Sequence, residues 1–292
     1  MSMVSFLKRC FHDRLYPYRK FRWQVLQLFP ETTLRSHTKH GYLSYSSRDQ
    51  TIGKDLHLLK EFDFSTILWC LEFLNTKNVQ PNSRNILLDI GANIGTACIP
   101  LMTRGAFTFA LAFEPELKNY ELLSKNIKLN GLQARVSPIR IGLSSKNQES
   151  LIYKSSKNFG DHRVLCANQE FLKNREPAPI NLRRLDSFVT QEKIHPKDIG
   201  FILLDTQGHD LEVLKGGTSV LSHSPPLLME IWPEGILANG SNSTKVTELL
   251  APNYRKYYDF RFNPPKLNPI SELTKLWNEV HQKNDYCNVL FI

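Results

Sequence analysis

A glycine-rich stretch at residues 88–95 holds the residue types and spacing best suited to ligand chemistry in this chain. It reads Leu-Asp-Ile-Gly-Ala-Asn-Ile-Gly, and the apolar run before it predicts a buried strand. Gly91 would let the backbone approach a ligand closely, and the amides that open the following helix favour negative or polar ligand groups. Nineteen residues beyond Gly95, Glu114 ends a second apolar run, where a carboxylate can accept hydrogen bonds from both hydroxyls of a ribose. The two features together predict a nucleotide-binding site.

Two nucleotide cofactors need to be distinguished, a dinucleotide and S-adenosylmethionine. The dinucleotide fingerprint G-x-G-x-x-G requires glycine where Asn93 and Thr96 stand, and without those glycines a pyrophosphate has less room. The pattern D-x-G-x-N-x-G, which runs from Asp89 to Gly95, is typical of class I methyltransferases that use S-adenosylmethionine. We therefore expect S-adenosylmethionine as the cofactor.

Alternating strand and helix patterns must position this site. Strands are predicted near residues 86–90, 107–113, 135–139, 199–204, 227–231, 254–260 and 286–292. Helices are predicted at 53–76, from 94, and at 116–130, 211–221 and 272–280. This alternation predicts an α/β fold with a seven-stranded, mostly parallel sheet and helices on both faces, the Rossmann-like sandwich of class I methyltransferases.

The segment between residues 142 and 198 is less regular. Extra strands are predicted at residues 150–154 and 182–188, on either side of a polar stretch that contains Gly160-Asp-His-Arg163. That stretch could close over the cofactor or the acceptor, or it could be a surface turn.

The chain from about residue 86 to residue 231 resembles the FkbM family of methyltransferases. The matching pieces stand in order: Leu88–Gly95, Ala112–Pro115, Asn119-Tyr120, Asn126-Ile127, Leu129–Gly131, Gly160–Arg163, Leu185-Asp186, Asp205–Asp210, Val213–Gly216 and Pro226–Glu230. The family usually has Glu where Asp210 stands, and residues 1–50 match nothing in the family pattern. The resemblance implies methyl transfer from S-adenosylmethionine to a hydroxyl of a sugar, glycan or natural-product-like small molecule.

The resemblance also implies roles at the cofactor end of the site. Gly91, Asn93 and Gly95 would line the methionine end of the cofactor, and Asp89 would orient that loop. Glu114 would hold the ribose, with Pro115 and Asn119 in the same pocket.

Methylation of a hydroxyl requires a positioned base, which should lie where the central strands end beside the cofactor crevice. Asp205 ends one such strand, His209 follows four residues later, and Glu230 lies near the end of the next strand. His209 titrates in the useful range, and Asp205 could orient it or take the proton itself. We predict Asp205 and His209 as the acid–base pair, with Glu230 as the third catalytic candidate.

Each of these three residues has a structural alternative. Asp205 could cap the following helix, His209 could be satisfied by backbone groups, and Glu230 could pair with a buried basic residue. Asp205 and Glu230 could also hold a magnesium ion, but no third acidic ligand lies at a supportive spacing. No metal is therefore predicted.

Composition limits the remaining classes of protein. Hydrophobic residues make up 41% of the chain and charged residues 22%, which excludes a mostly disordered protein. The longest apolar runs have the length of strands, well short of the ~18 residues of a membrane-spanning helix, so we expect a soluble protein. The five cysteines are widely spaced and form no C-x-x-C pair, which favours a reduced, cytoplasmic compartment.

The net charge of +9 is concentrated near the start of the chain. Residues 1–40 contain eight Lys or Arg and two acidic residues, a balance of +6, with aromatic residues interleaved. This mixture could bind an anionic membrane surface or a nucleic acid, but we favour a helix docked by its aromatic residues with its charges in water. We divide the chain into a basic, helical extension at 1–80 and a methyltransferase domain at 81–292.

Two other functions remain open at this point. The protein could act through residues 1–40 as a peripheral membrane or nucleic-acid-binding module, or it could be a regulator that binds the cofactor without turnover. We expect a small-molecule or glycan acceptor and no nucleic acid.

Overall fold

The computed structural model describes residues 15–76, 86–164 and 166–292. The strands in these ranges are β1 (Thr33–Thr38), β2 (Gly41–Ser46), β3 (Ile86–Ile90), β4 (Phe109–Phe113), β5 (Val136–Ile139), β6 (Gly142–Leu143), β7 (Gln148–Lys154), β8 (Arg163–Val164), β9 (Glu176–Arg183), β10 (Ile199–Leu204), β11 (Leu227–Ile231), β12 (Lys256–Asp259), β13 (Lys266–Pro269) and β14 (Cys287–Phe291). The α-helices are α1 (Tyr16–Leu26), α2 (Ile52–Leu58), α3 (Phe64–Thr76), α4 (Cys98–Thr103), α5 (Leu117–Leu129), α6 (Leu185–Gln191), α7 (Asp210–Gly216), α8 (Thr218–Leu221), α9 (Pro233–Ala238), α10 (Ser243–Leu250) and α11 (Leu273–Gln282).

The main sheet has the strand order β13-β12-β14-β11-β10-β3-β4-β5. Strands β11, β10, β3, β4 and β5 are parallel, and β14 runs antiparallel to both of its neighbours. The chain proceeds from β3 outward to β5 and then resumes on the other side of β3 with β10, so the order reverses between β3 and β10. Such a reversal creates a crevice outside the carboxyl ends of the strands. The arrangement confirms the class I methyltransferase sandwich.

The sheet has eight strands, so the prediction of seven was one too low. The additional strand, β13, pairs with β12 at the sheet edge and contains Leu267, which is half exposed. Because this short edge strand buries little, its sequence lacks the apolar pattern on which strand prediction depends.

Successive residues of the central strands point to opposite faces of the sheet, and each face is covered by its own apolar core. Leu88, Leu111 and Ile202 belong to one core, which the helices from α6 onward complete. Leu87 and Phe201 face the other core, together with Trp23 and Leu43 from the start of the chain. All six residues of β10 are buried, as expected for a parallel strand covered on both faces. The segment before β3 therefore packs directly on the sheet.

The described part of the segment predicted as a helical extension, residues 1–80, differs from that prediction in two places. Residues 33–46 form an antiparallel hairpin of β1 and β2, and the helix expected at 53–76 is broken into α2 and α3. Lys60 and Asp63 in the break have positive φ, which a helix cannot accommodate. The domain boundary predicted near residue 80 falls in 77–85, outside the described residues, and stays a prediction.

A second sheet, with the order β6-β9-β7-β8, occupies the irregular segment. The strand expected at 182–188 was wrong beyond Arg183. Strand β9 spans Glu176–Arg183 and α6 starts at Leu185, because Leu185, Phe188 and Val189 recur at helical spacing and are buried. The helix expected at 211–221 is interrupted at Gly217, and the helix expected from 94 begins at Cys98. No helix among the described residues is long and apolar enough to cross a membrane.

Candidate functional site

A cleft of about 510 Å³ opens at the carboxyl ends of β3, β4, β10 and β11. The strand register explains which side chains meet there. Leu204 lies opposite Ile90 on one side and Met229 on the other, so Gly91, Asp205 and Glu230 stand next to one another at the sheet edge. All predicted site residues except Gly95 line this cleft: Asp89, Gly91, Asn93, Glu114, Pro115, Asn119, Asp205, His209 and Glu230.

The turn after β3 requires glycine at position 91. Gly91 has φ +88°, and a Cβ there would come within 1.8 Å of the carbonyl oxygen of Asp205. Its N–H donates to the carbonyl of Phe113 at 3.0 Å, which ties the turn to the end of β4. Gly95 has φ +92°, and a Cβ there would meet the Ile99 side chain at 2.6 Å. The structure thus places Gly91 at the cleft and gives Gly95 a packing role beside it.

Two buried carboxyl groups hold the turn in shape. Asp89 accepts a hydrogen bond from the N–H of Cys98 (3.1 Å), the first residue of α4, and burial raises the pKa of Asp89 to about 6. Glu114 accepts from the N–H groups of Asn93 and Glu116, each at 2.9 Å. Burial raises the pKa of Glu114 to about 8, although these two N–H groups oppose the shift. Each carboxylate oxygen can accept a second hydrogen bond, so Glu114 retains capacity for a ligand hydroxyl.

The polar stretch of the irregular segment covers one side of the cleft. The side-chain amides of Asn93 and Asn119 both donate to the carbonyl of Phe159, at 2.9 Å each. Residues 158–163 line the cleft as a result, which favours the cover over the surface turn. The Oδ1 of Asn119 is buried and accepts no hydrogen bond from the described residues. This buried acceptor is available to a ligand that supplies a donor.

Asp205 and Glu230 form the acidic side of the cleft. Asp205 accepts a hydrogen bond from the Gln207 side chain at 2.7 Å. Its carboxyl is open to the solvent of the cleft, but protein surrounds the cleft on most sides, and this desolvation raises the pKa of Asp205. Burial raises the pKa of Glu230 well above its usual value, aided by the charges of Asp205, Asp210 and Asp63. Both carboxyl groups are therefore harder to ionise than a carboxyl in water.

His209 is held differently from the arrangement that the sequence suggested. Its Nε2 lies 3.0 Å from the Ser144 hydroxyl, and its Nδ1 is buried without a hydrogen-bond partner among the described residues. The described hydrogen bonds include none between the His209 ring and Asp205. Burial lowers the pKa of His209 to about 4, so the ring is neutral at pH 7. His209 also lines a second cavity of about 250 Å³, next to Ser144.

Asp205 does not cap the following helix: the N-cap position of α7 is His209, and no side chain caps it. Asp210, the first residue of α7, instead closes the turn that precedes the helix. The Asp210 carboxylate accepts from the N–H and hydroxyl of Thr206 (3.0 and 2.9 Å) and from the N–H of Gly208 (3.1 Å). This tight turn carries His209 away from Asp205, which explains why Asp205 does not orient the ring.

Four further residues at the acceptor end of the cleft were missed by the sequence analysis. They are Asp63, Trp232, Tyr286 and Asn288. Trp232 follows β11 directly, a position that the strand-end rule could have found. Asn288 lies at the start of β14, which reaches the same edge because β14 is antiparallel to β11. Asp63 lies in the break between α2 and α3 and carries no sequence signal.

An arginine cluster supports this end of the cleft. The Arg163 guanidinium lies 4.8 Å from the centre of the Trp232 ring and 5.1 Å from that of Phe171. Asp161 pairs with both Arg163 and Arg175. The charge of Asp161 is therefore compensated, whereas Asp205 and Glu230 have no basic partner within the described ranges. Those ranges also contain no group of three or more His, Cys, Asp or Glu that could hold a metal ion.

Comparisons with known proteins agree with this geometry. The model of the family described as "Methyltransferase FkbM domain" matches residues 89–264. Hexuronic acid methyltransferase AglP of Haloferax volcanii is 29% identical over 175 residues, which cover 56% of this chain and 66% of the relative. Methyltransferase sdnD of Sordaria araneosa is 26% identical over 157 residues, 46% of this chain and 61% of the relative. The matched part of the chain thus spans slightly less than two thirds of each of these relatives.

Among solved structures, the methyltransferase FkbM of Methylobacillus flagellatus KT is similar with a TM-score of 0.44 and 17% identity. That match covers 72% of this chain and 44% of the other.

Proposed function

Because the chain belongs to the FkbM methyltransferase family, we propose that it methylates a hydroxyl of a sugar, glycan or natural-product-like small molecule. S-adenosylmethionine is the cofactor. One observation carries the proposal: the cleft at the reversal of strand order joins a nucleotide-type end, built around Glu114, to an acidic end built around Asp205 and Glu230. The relatives named as methyltransferases, one of them acting on hexuronic acid, support the same class of reaction.

The groups at the nucleotide-type end fit S-adenosylmethionine. Glu114 would accept hydrogen bonds from the ribose hydroxyls, and the unpartnered Oδ1 of Asn119 would accept one from a further donor. Asp89 and Asn93 fix the turn at Gly91, and the absence of a side chain there lets the turn pack against the Asp205 carbonyl, beside the part of the cleft where the methionine part would lie. When bound, the cofactor supplies a methyl group that is already activated by its sulfonium charge.

The protein's own task is then to orient the acceptor and remove its proton. Asp205 is the better placed base, because its carboxyl is exposed to the cleft, whereas Glu230 is partly buried within β11. Glu230, beside it at the sheet edge, can hydrogen-bond to the acceptor. His209 is the second candidate: its neutral ring has an unpartnered nitrogen, and its contact with Ser144 offers a route for the proton toward the second cavity.

The charges at the acceptor end restrict the substrate. Three carboxyl groups at this end disfavour one another's ionisation, namely those of Asp63, Asp205 and Glu230. None of them forms an ion pair with a described basic side chain. A carboxylate or phosphate placed there would be repelled in a poorly solvated cleft. We therefore propose a neutral or cationic acceptor, unlike the hexuronic acid in the relative's name, and no nucleic-acid substrate. A cytoplasmic location stays a prediction from the spacing of the cysteines.

A panel of matched sugars tests the proposal. The protein is incubated with S-adenosylmethionine and glucose, glucosamine or glucuronate, and S-adenosylhomocysteine release is measured. We expect turnover with glucosamine or glucose to exceed that with glucuronate, and Asp205→Asn and His209→Ala to identify the base by the larger loss. Preferential methylation of glucuronate would contradict the acceptor assignment, and transfer to nitrogen alone would contradict O-methylation.

A further inference from the structure

Helix α1 has two faces, and the proposed function uses neither. Its inner face is fixed to the protein: Trp23 is only 4% exposed, Arg19 Nε donates to the carbonyl of Leu58 at 2.8 Å, and the Gln27 amide donates to the carbonyl of Ser47 at 2.9 Å. The helix is therefore held in one orientation, which also fixes what it presents on the other side.

The outer face of α1 exposes a concentration of large apolar side chains. We define this outer face as Tyr18 and Phe21 of the helix, together with Leu15 just before it and Leu28 and Phe29 just after it. These five side chains are 56–82% exposed. They make up five of the twelve exposed large hydrophobic residues in the described part of the chain. Residues 15, 18 and 21 recur at a three-residue step, which brings them to one side of the helix. A monomer surface seldom gathers apolar side chains in this way unless they bind something.

The charge around the outer face is positive. Residues 15–30 contain Arg19, Lys20 and Arg22 and no acidic residue, and Lys20 and Arg22 are exposed. The next acidic residue, Glu31, already bonds to Lys118. Aromatic and apolar side chains flanked by basic ones are typical of a helix that lies in the interface of an anionic membrane.

We propose that the outer face of α1 binds the surface of an anionic lipid bilayer. Tyr18 and Phe21 enter the headgroup region, while Lys20 and Arg22 contact lipid phosphates. A second copy of the chain is a poorer partner, because a symmetric contact would bring the same positive residues together. A nucleic acid would match the charge but not the aliphatic part of the face.

The test must leave the inner face intact. Trp23 Nε1 contacts the Gln50 side chain at 3.4 Å, and the N–H of Gln50 donates to the carbonyl of Lys157 at 2.7 Å, next to the cleft cover. A change at Trp23 would therefore disturb the cleft as well as the helix. Phe21 is 64% exposed and can be changed without this effect, and Phe262, 47% exposed in another part of the fold, is its matched control.

The full-length protein is sedimented with vesicles of phosphatidylcholine alone or mixed with phosphatidylserine. We expect binding to the mixed vesicles only, weakened by high salt. Phe21→Ser should weaken it about tenfold, and the double variant K20Q/R22Q about thirtyfold, from the usual worth of a basic residue at a charged bilayer. Phe262→Ser should bind like the wild type, and all variants should keep the wild-type melting temperature.

Three results would overturn the proposal. One is failure of the full chain to bind the mixed vesicles. Another is an equal loss of binding in Phe262→Ser. The last is a dimer in solution that depends on Phe21 without any lipid binding, which would assign the face to a second copy of the chain.

Discussion

Replacement of Glu114 by Gln should change both the strength and the pH dependence of cofactor binding. The wild-type carboxyl has a pKa of about 8 because it is buried, so at pH 7 it is mostly protonated before the cofactor binds. A carboxylate that accepts bonds from two ribose hydroxyls must first lose this proton. At pH 7 this costs roughly 1.4 kcal/mol, the free energy of one pKa unit.

Cofactor affinity should therefore rise with pH, by up to tenfold per unit, until it levels off above about pH 8. Near neutral pH, binding should release close to one proton. His209 and His162, with pKa values of about 4, stay neutral throughout this range and do not contribute. Asp210 and Asp89, with pKa values of about 7 and 6, do titrate nearby, so the variant is needed for the assignment.

Glu114→Gln removes the charge and leaves one of the N–H donors of Asn93 and Glu116 facing an amide NH₂. At alkaline pH the loss should be about 1.5–3 kcal/mol, the worth of a hydrogen bond to a charged group. At about pH 6 the wild-type carboxyl is protonated as well, so the two proteins should bind with more similar affinity.

The assay is calorimetric titration with S-adenosylhomocysteine, which binds without reacting, in buffers of different ionisation enthalpy. A wild-type affinity that is flat between about pH 6 and 8, or the same slope and proton release in Glu114→Gln, would contradict this role of the carboxyl.

The raised pKa of Glu114 also predicts how the free energy of unfolding depends on pH. Its folded pKa lies above the usual 4.5, so its contribution to stability is fully present below about pH 4.5 and is lost as the pH rises toward 8. Urea denaturation across this range should show a smaller pH dependence in Glu114→Gln.

Three further predictions follow from the geometry. Asp205→Asn should lower the single-turnover methylation rate about 10²–10⁴-fold at saturating cofactor, with S-adenosylhomocysteine affinity preserved, and a near-wild-type rate would exclude it as the base. Gly91→Ala should reduce both melting temperature and cofactor affinity, because its Cβ would lie 1.8 Å from a carbonyl oxygen. Gly131→Ala is the control, also at positive φ but facing open space, and equal losses in the two would contradict the account. Trp23→Ala should lower the free energy of unfolding by about 3–5 kcal/mol in urea denaturation, while Phe21→Ala, on the exposed face, should change it by less than about 0.5 kcal/mol.

The parts of the fold that the sequence predicted are those with a strong local pattern. The strands that carry the site, β3, β10 and β11, were predicted with the bounds that the structure has, because buried parallel strands are continuous apolar runs. The hairpin of β1 and β2 was missed, since residues 33–46 are mostly polar and gain their burial from contacts with distant elements. Asn126, for example, bonds to the backbone of Ser44 across 82 positions of the chain.

The residues of the candidate site were likewise predicted where a local pattern marks them and missed where none does. Residues that follow a strand directly, such as Asp205 and Glu114, could be located from the strand pattern alone. Asp63 and Tyr286 reach the cleft only through the three-dimensional course of the chain, so no local signal marks them. Asp205 and His209 are not hydrogen-bonded to each other because sequence spacing gives proximity but not side-chain direction, which the turn closed by Asp210 decides.

A crystal structure of the protein with S-adenosylhomocysteine tests the central claim most directly. The account predicts the ligand in the cleft between β3 and β10, with both ribose hydroxyls about 2.7 Å from the Glu114 carboxylate oxygens. It also predicts a donor of the ligand on Asn119 Oδ1, and the sulfur facing Asp205 and Glu230. A ligand bound elsewhere, or a ribose in the cleft without contact to Glu114, would contradict it.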